Sequence, residues 1–130
     1  MLLNLSNHPS TKWPTEQIQA CAMYGGVIDM PFPHIDPEAD ADQIRQLSEQ
    51  YEAKIRQMSD VTVVHLMGEL TFCFALVARL QAFGLPCVAS TTARDTVEKD
   101  GIKTSIFRFV RFRGYVIYDT LNHRICTLLA

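Results

Sequence analysis

A chain of 130 residues with 48% hydrophobic and 20% charged residues has the size and composition of one compact globular domain, which excludes disordered and fibrous classes. A net charge of −2 argues against a long nucleic acid as partner. No segment approaches the roughly 18 consecutive apolar residues of a membrane span, and the start lacks a secretory signal's basic flank and apolar stretch, so a cytoplasmic protein with no membrane partner is expected.

Met1 to Ser6 is a short apolar segment suited to a central strand, and Pro9 stops it inside the polar loop Asn7 to Thr11. A helix follows from Trp13, with Thr11 or Lys12 near its cap, Pro14 in its first turn and Gly25-Gly26 at its end. Ile18, Cys21, Ala22 and Tyr24 make its apolar stripe. Val27 to Met30 reads as a second parallel strand, closed by the stiff loop Pro31 to Pro37. Asp36, Glu38, Asp40 and Asp42 then lead into a helix over 41–58 whose buried stripe is Ile44, Leu47, Tyr51 and Ile55. Acids there suit the positive end of a helix dipole better than a metal, because neighbours at a helix start rarely aim at one point.

Val61 to Leu66 is the clearest strand, and Gly68 permits a tight turn after it. Leu70 to Phe83 is an almost wholly apolar helix with one charge, Arg79, capped by Gly84 and buried against the sheet or another subunit. Leu85 to Ser90 is the fourth strand. After Arg94 comes a polar segment with an Asp100-Gly101 turn, then β alternation from Thr104 to Phe112. Strict alternation puts Arg111 and Arg113 on one strand face and Arg108 on the other. Gly114 and Asn122-His123 mark turns around two further short strands, Tyr115 to Tyr118 and Arg124 to Leu129. The expected fold is α/β: a Rossmann-like, mostly parallel sheet flanked by helices, with antiparallel C-terminal edge strands. Residues 1–115 form the domain proper, and 116–130 extend it as an edge hairpin or dimer contact. Cys21, Cys73, Cys87 and Cys126 show no C-x-x-C spacing and read as reduced structural thiols.

Three strand ends carry candidate chemistry, and such ends converge on one edge of an open α/β sheet. The first offers Ser6, Asn7 and His8, an imidazole suited to proton transfer. At the second, Gly68, Glu69 and Thr71 open a helix, whose backbone N–H groups can face an anion and whose carboxylate can accept from ribose hydroxyls. The third, Ser90, Thr91, Thr92 and Arg94, combines hydroxyls with a forked cation suited to phosphate. Arg94, Lys99, Lys103, Arg108, Arg111 and Arg113 are half of the chain's twelve Lys and Arg residues. That window suits a small anionic ligand. No metal and no cofactor is expected.

The N-terminal strand with Ser6-Asn-His8 and Thr15-Glu-Gln17, then Gly68-Glu-Leu-Thr-Phe72, Ser90-Thr-Thr-Ala-Arg94, and Phe107 through Arg113 with Tyr115 occur in that order. Together they resemble the small stand-alone proteins of type III CRISPR loci whose domain is similar to the CRISPR-associated Rossmann fold. The resemblance implies a ring nuclease that binds cyclic oligoadenylate, as cyclic tetra-adenylate, across the two-fold axis of a homodimer. A metal-independent attack of a ribose 2′-hydroxyl on the adjacent phosphate would give a 2′,3′-cyclic phosphate end. In that reading His8 moves a proton, while Arg94 and Thr92 stabilise developing charge. Ser6, Asn7, Gly68, Glu69, Thr71, Thr91, Arg111 and Arg113 would hold the substrate. Two other readings stand beside it: a sensor or sponge that binds without cleaving, and an interaction protein using the apolar helix and the tail. The tail after Tyr115 departs from the pattern.

Overall fold

The computed structural model describes residues 1–119 and 124–127, with side chains through Ile117. Strands β1 (Leu2–Ser6), β2 (Val27–Asp29), β3 (Val63–Met67), β4 (Cys87–Lys99) and β5 (Ile102–Gly114) form one sheet in the order β2-β1-β3-β4-β5. The pairings from β2 to β4 are parallel and β4–β5 is antiparallel. Helices α1 (Thr15–Ala20), α2 (Ala41–Arg56) and α3 (Leu70–Phe83) connect the parallel strands. This is the α/β arrangement read from the sequence, antiparallel edge included.

Alternation along the strands sorts the core into two layers. Leu3, Leu5, Val64, Leu66 and Cys87 pack against Ile44, Ile55, Phe72 and Leu76, so α2 and α3 cover that face. Leu2, Val63 and Val88 point to the other face, where Cys21, Trp13 and Phe112 cover them. With helices on both faces and β1 lying between β2 and β3, the connections leaving β1 and β2 run on opposite sides. The sheet therefore has its topological switch point between β1 and β3.

Helix α2 begins with a reciprocal cap: the Asp40 carboxylate accepts from Gln43 N–H, and Gln43 returns a bond to Asp40 N–H. Helix α3 spans the expected residues and ends at Gly84 with φ 96°. Its Arg79 reaches α2, where it meets Glu49 at 3.0 Å, Glu52 at 3.3 Å and Ser48 Oγ at 3.1 Å. The lone charge of an apolar helix thus ties two helices together.

Several expectations are corrected. Helix α1 is only six residues long, flanked by 3-10 turns at Ser10–Lys12 and Ala22–Tyr24, and its N-cap is Pro14 rather than Thr11 or Lys12. It buries Gln17 and leaves Ile18 39% exposed, so of the expected stripe Cys21 and Tyr24 pack on the sheet while Ile18 and Ala22 face outward. The fourth strand does not stop at Ser90. It continues to Lys99 because β5 pairs with it throughout, and Asp100-Gly101 (φ 55° and 79°) closes the ribbon as a two-residue hairpin turn.

A bulge interrupts that ribbon. Thr91 pairs with Arg111, but Thr92 pairs with Phe109, so Val110 has no partner. Ala89, Thr91 and Ala93, on one face of β4, pair with Arg113, Arg111 and Arg108. All three arginines therefore share a face, contrary to strict alternation, and Arg94 with Phe107 lies on the opposite one. Strands β6 (Val116–Asp119) and β7 (Arg124–Thr127) form a separate antiparallel pair. The expected turn at Asn122-His123 and the end of the last strand lie outside the described residues.

Candidate functional site

The ends of β1 and β3 lie side by side at the carboxyl edge of the sheet, next to the switch point. Two adjoining clefts open there. One, of about 440 Å³, is bounded by Asn4, Ser6, Asn7 and Asp29. The other, of about 340 Å³, is bounded by Asn7, His34 and Glu69. Asn7 and the Phe32 ring belong to both. Phe32 reaches this position from the loop after β2 and brings the far end of its ring against Gly68: a Cβ at that glycine would meet the ring at 2.3 Å. Gly68 is therefore required by the close approach of an aromatic ring, and its φ is not in the left-handed region.

The loop after β1 is pinned by its own backbone. The His8 carbonyl accepts from Asn4 Nδ2 (2.9 Å) and Trp13 Nε1 (3.1 Å), and His8 N–H donates to Ser6 Oγ at 3.2 Å. Asn7 is exposed and lines both clefts, His8 is exposed but lines neither, and Ser6 is buried and bonded inward. Glu69 is the N-cap of α3: its carboxylate accepts from Phe72 N–H at 2.8 Å and Thr71 Oγ at 2.7 Å. Those bonds, the backbone one first, hold its carboxyl below the ordinary range. Thr71 is thereby engaged as well.

The third strand end is arranged differently. Thr91 Oγ donates to the Arg111 carbonyl at 3.2 Å, and Thr92 is exposed on the opposite face. Arg94 donates to Ser105 Oγ at 3.0 Å, on the ribbon. Four residues of extended strand place it about 13 Å along from Ser90. The structure thus brings Ser6, Asn7, His8, Gly68, Glu69 and Thr71 to one edge. It leaves Arg94, Arg111 and Arg113 on the ribbon, and neither cleft is lined by a lysine or arginine.

A polar chain that sequence reasoning missed runs under this edge. Asn4 Nδ2 donates to the His8 carbonyl and to Asp29 Oδ1, each at 2.9 Å. Both partners only accept, so the amide nitrogen must face them and Oδ1 must face away. There Oδ1 accepts from Ser6 Oγ at 2.8 Å and meets His65 Nδ1 at 2.9 Å. Nδ1 therefore carries the ring proton, and Nε2 presents a bare lone pair to Ser90 Oγ at 3.2 Å. His65 is 2% exposed and walled by Trp13 and Phe112, at centroid distances of 5.0 and 5.5 Å. Burial, and secondarily the nearby His8, pushes its pKa down to about 4, so the ring is neutral at pH 7. The signal available in the sequence was an asparagine and a histidine inside strands expected to be covered on both faces, where polar groups need partners.

A larger cleft of about 530 Å³ lies between α3 and the start of β6, beside Leu70, Phe74 and Val116. Its lining is mostly apolar, and its two hydroxyls are already engaged, Thr71 with Glu69 and Tyr115 with the Leu66 carbonyl. Among the described residues no group of three His, Cys, Asp or Glu side chains is placed to hold a metal ion, and no helix is long and apolar enough to cross a membrane.

The family model for the uncharacterized protein MJ1673 family matches residues 1–113. The chain belongs to that family. The match covers the whole five-stranded sheet up to the penultimate residue of β5, and therefore both clefts, the His65 chain and the ribbon. Neither a curated protein nor a solved structure matches the chain.

Proposed function

We propose that this chain is a ring nuclease of type III CRISPR signalling, cytoplasmic and homodimeric, that binds and cleaves cyclic oligoadenylate, with cyclic tetra-adenylate as substrate. The observation that carries this reading is the meeting of Ser6-Asn7-His8 with Gly68-Glu69 at the switch-point edge, where open α/β sheets hold nucleotides. The resemblance of these segments to that protein group supplies the substrate class. The reaction needs the 2′-hydroxyl held in line with the adjacent phosphorus and charge stabilised on the phosphoryl oxygens. His8, exposed on the loop after β1, is suited to proton transfer. Arg94 and Thr92 are the groups that the resemblance assigns to charge stabilisation, and both lie on the β4–β5 ribbon.

Incubation with radiolabelled cyclic tetra-adenylate in EDTA tests this reading. Linear products ending in a 2′,3′-cyclic phosphate are expected, and intact ring after prolonged exposure to excess protein would sink it.

Sequestration without cleavage is the second reading, favoured by one observation: among the described residues no lysine or arginine lines the two clefts, while Arg94 is bonded to Ser105 on the ribbon. Tight binding with no turnover selects it.

A further inference from the structure

The polar chain beneath the edge ends at Ser90, and the bonding there has a fixed direction. Two groups face Ser90 Oγ from inside the protein: His65 Nε2 at 3.2 Å and Met67 Sδ at 3.1 Å. Neither can donate, because the His65 proton is held on Nδ1 by Asn4 and a thioether has no proton. The Ser90 O–H must therefore point inward. What Oγ offers to anything outside is lone pairs. His65 and Asn4 are buried, Trp13 and Phe112 close over the imidazole, and Ser90 is the partly exposed end of the series.

We propose that Ser90 is the ligand-contacting end of a hydrogen-bonded chain running through His65 and Asn4 to the exposed Asp29, and that it accepts a hydrogen bond from a ribose 2′-hydroxyl and so orients that hydroxyl. The assignment rests on the reading of the ligand as a cyclic oligoribonucleotide. It changes the role of this strand end, which on composition alone suits phosphate: phosphate oxygens are acceptors and repel an oxygen that presents only lone pairs. In the reacting complex Ser90 Oγ holds the 2′-hydroxyl by its proton, leaving the O2′ lone pairs to face the adjacent phosphorus. An O2′ electron pair forms the bond to the adjacent phosphorus and the P–O5′ bond breaks, the 2′-hydroxyl proton leaving through water and water protonating the leaving 5′ oxygen. Nδ1–H remains on Asn4 throughout, and Asn4, itself fixed by Asp29, keeps the ring in the required tautomer. Ser90 is the catalytic residue of this step, and His65 and Asn4 are positioning residues.

Two measurements test the proposal. In the unliganded protein, long-range ¹⁵N–¹H spectra at pH 7 should show His65 protonated on Nδ1 and bare on Nε2, with the Nε2 resonance shifted in Ser90→Ala. The opposite tautomer, or an Nε2 resonance unmoved by Ser90→Ala, overturns the inference whatever the ligand is. Dissociation constants for cyclic tetra-adenylate and its all-2′-deoxy analogue, measured before cleavage sets in, form the second arm. The parent should favour the ribose ring by about tenfold, the worth of one good hydrogen bond, and Ser90→Ala should erase that preference. An unchanged preference in Ser90→Ala overturns the inference and leaves the ring-nuclease reading standing, whereas a parent that binds neither ring removes both.

Discussion

The parallel half of the sheet and the β4–β5 ribbon are both rich in apolar residues, and the protein treats them in opposite ways. Leu2, Leu3, Leu5, Val63, Val64 and Leu66 are fully buried, because helices lie on both faces of β1 and β3. On the ribbon, Ile102, Ile106 and Phe107 are 66%, 52% and 67% exposed. Among the described residues no helix covers the ribbon's outer half, and two strands alone cannot bury either of their faces. Coverage by a second layer decides burial here, and apolar content does not.

Truncation in the two regions should separate them. Leu66→Ala in the covered half should cost about 2–5 kcal/mol in urea unfolding, the range for a cavity at a well-packed core site. A cost below about 1 kcal/mol would mean that the core collapses around the gap. A smaller and pH-dependent effect is expected from the polar residue in the same strand. The folded-state pKa of His65 lies at about 4, below its ordinary 6.5. Between those values the unfolded chain binds a proton that the folded chain refuses, so stability is full above pH 6.5 and falls as pH drops toward 4. The whole window amounts to about 3 kcal/mol. His65→Gln should flatten that segment of the stability curve relative to the parent, and parallel curves would show that the ring is not held neutral. The smallest effect is expected on the ribbon, where Phe107→Ser should change stability by no more than about 0.5 kcal/mol. A loss above about 1 kcal/mol in the same urea assay would show that Phe107 is covered in solution and would break the contrast.

The contrast also explains what could be read from the sequence. Where helices cover both faces, strands read as apolar runs and helices as stripes: β1, β2, β3 and all of α3 lie where their residues indicate. The Asp100-Gly101 turn was equally legible, because its two positive φ values favour those residue types. The short helix α1 was harder, since its burial depends on which side meets the sheet, and Gln17 rather than Ile18 is turned inward. At the candidate site, the edge formed by Ser6, Asn7, His8, Gly68 and Glu69 followed from parallel topology. The His65 chain did not, because its members are distant in sequence and meet only through strand register: Asn4 lies directly beside His65, and Ser90 is two residues beyond the Val88 that pairs with it. Arg94 was misplaced for a related reason. A strand end is defined by where pairing stops, and pairing is a property of the partner strand.

The bulge opposite Thr91 and Thr92 gives the ribbon one residue more than its ladder uses. Removing Val110 would leave Arg108, Arg111 and Arg113 on their shared face, because pairing already skips that position. A one-residue deletion between Ile102 and Phe109 would instead turn every side chain from there to the tip over. Val110 is thus a spacer rather than a contact. By adding twist at that point, it sets the direction in which the outer ribbon leaves the sheet, independently of which side chains each face displays.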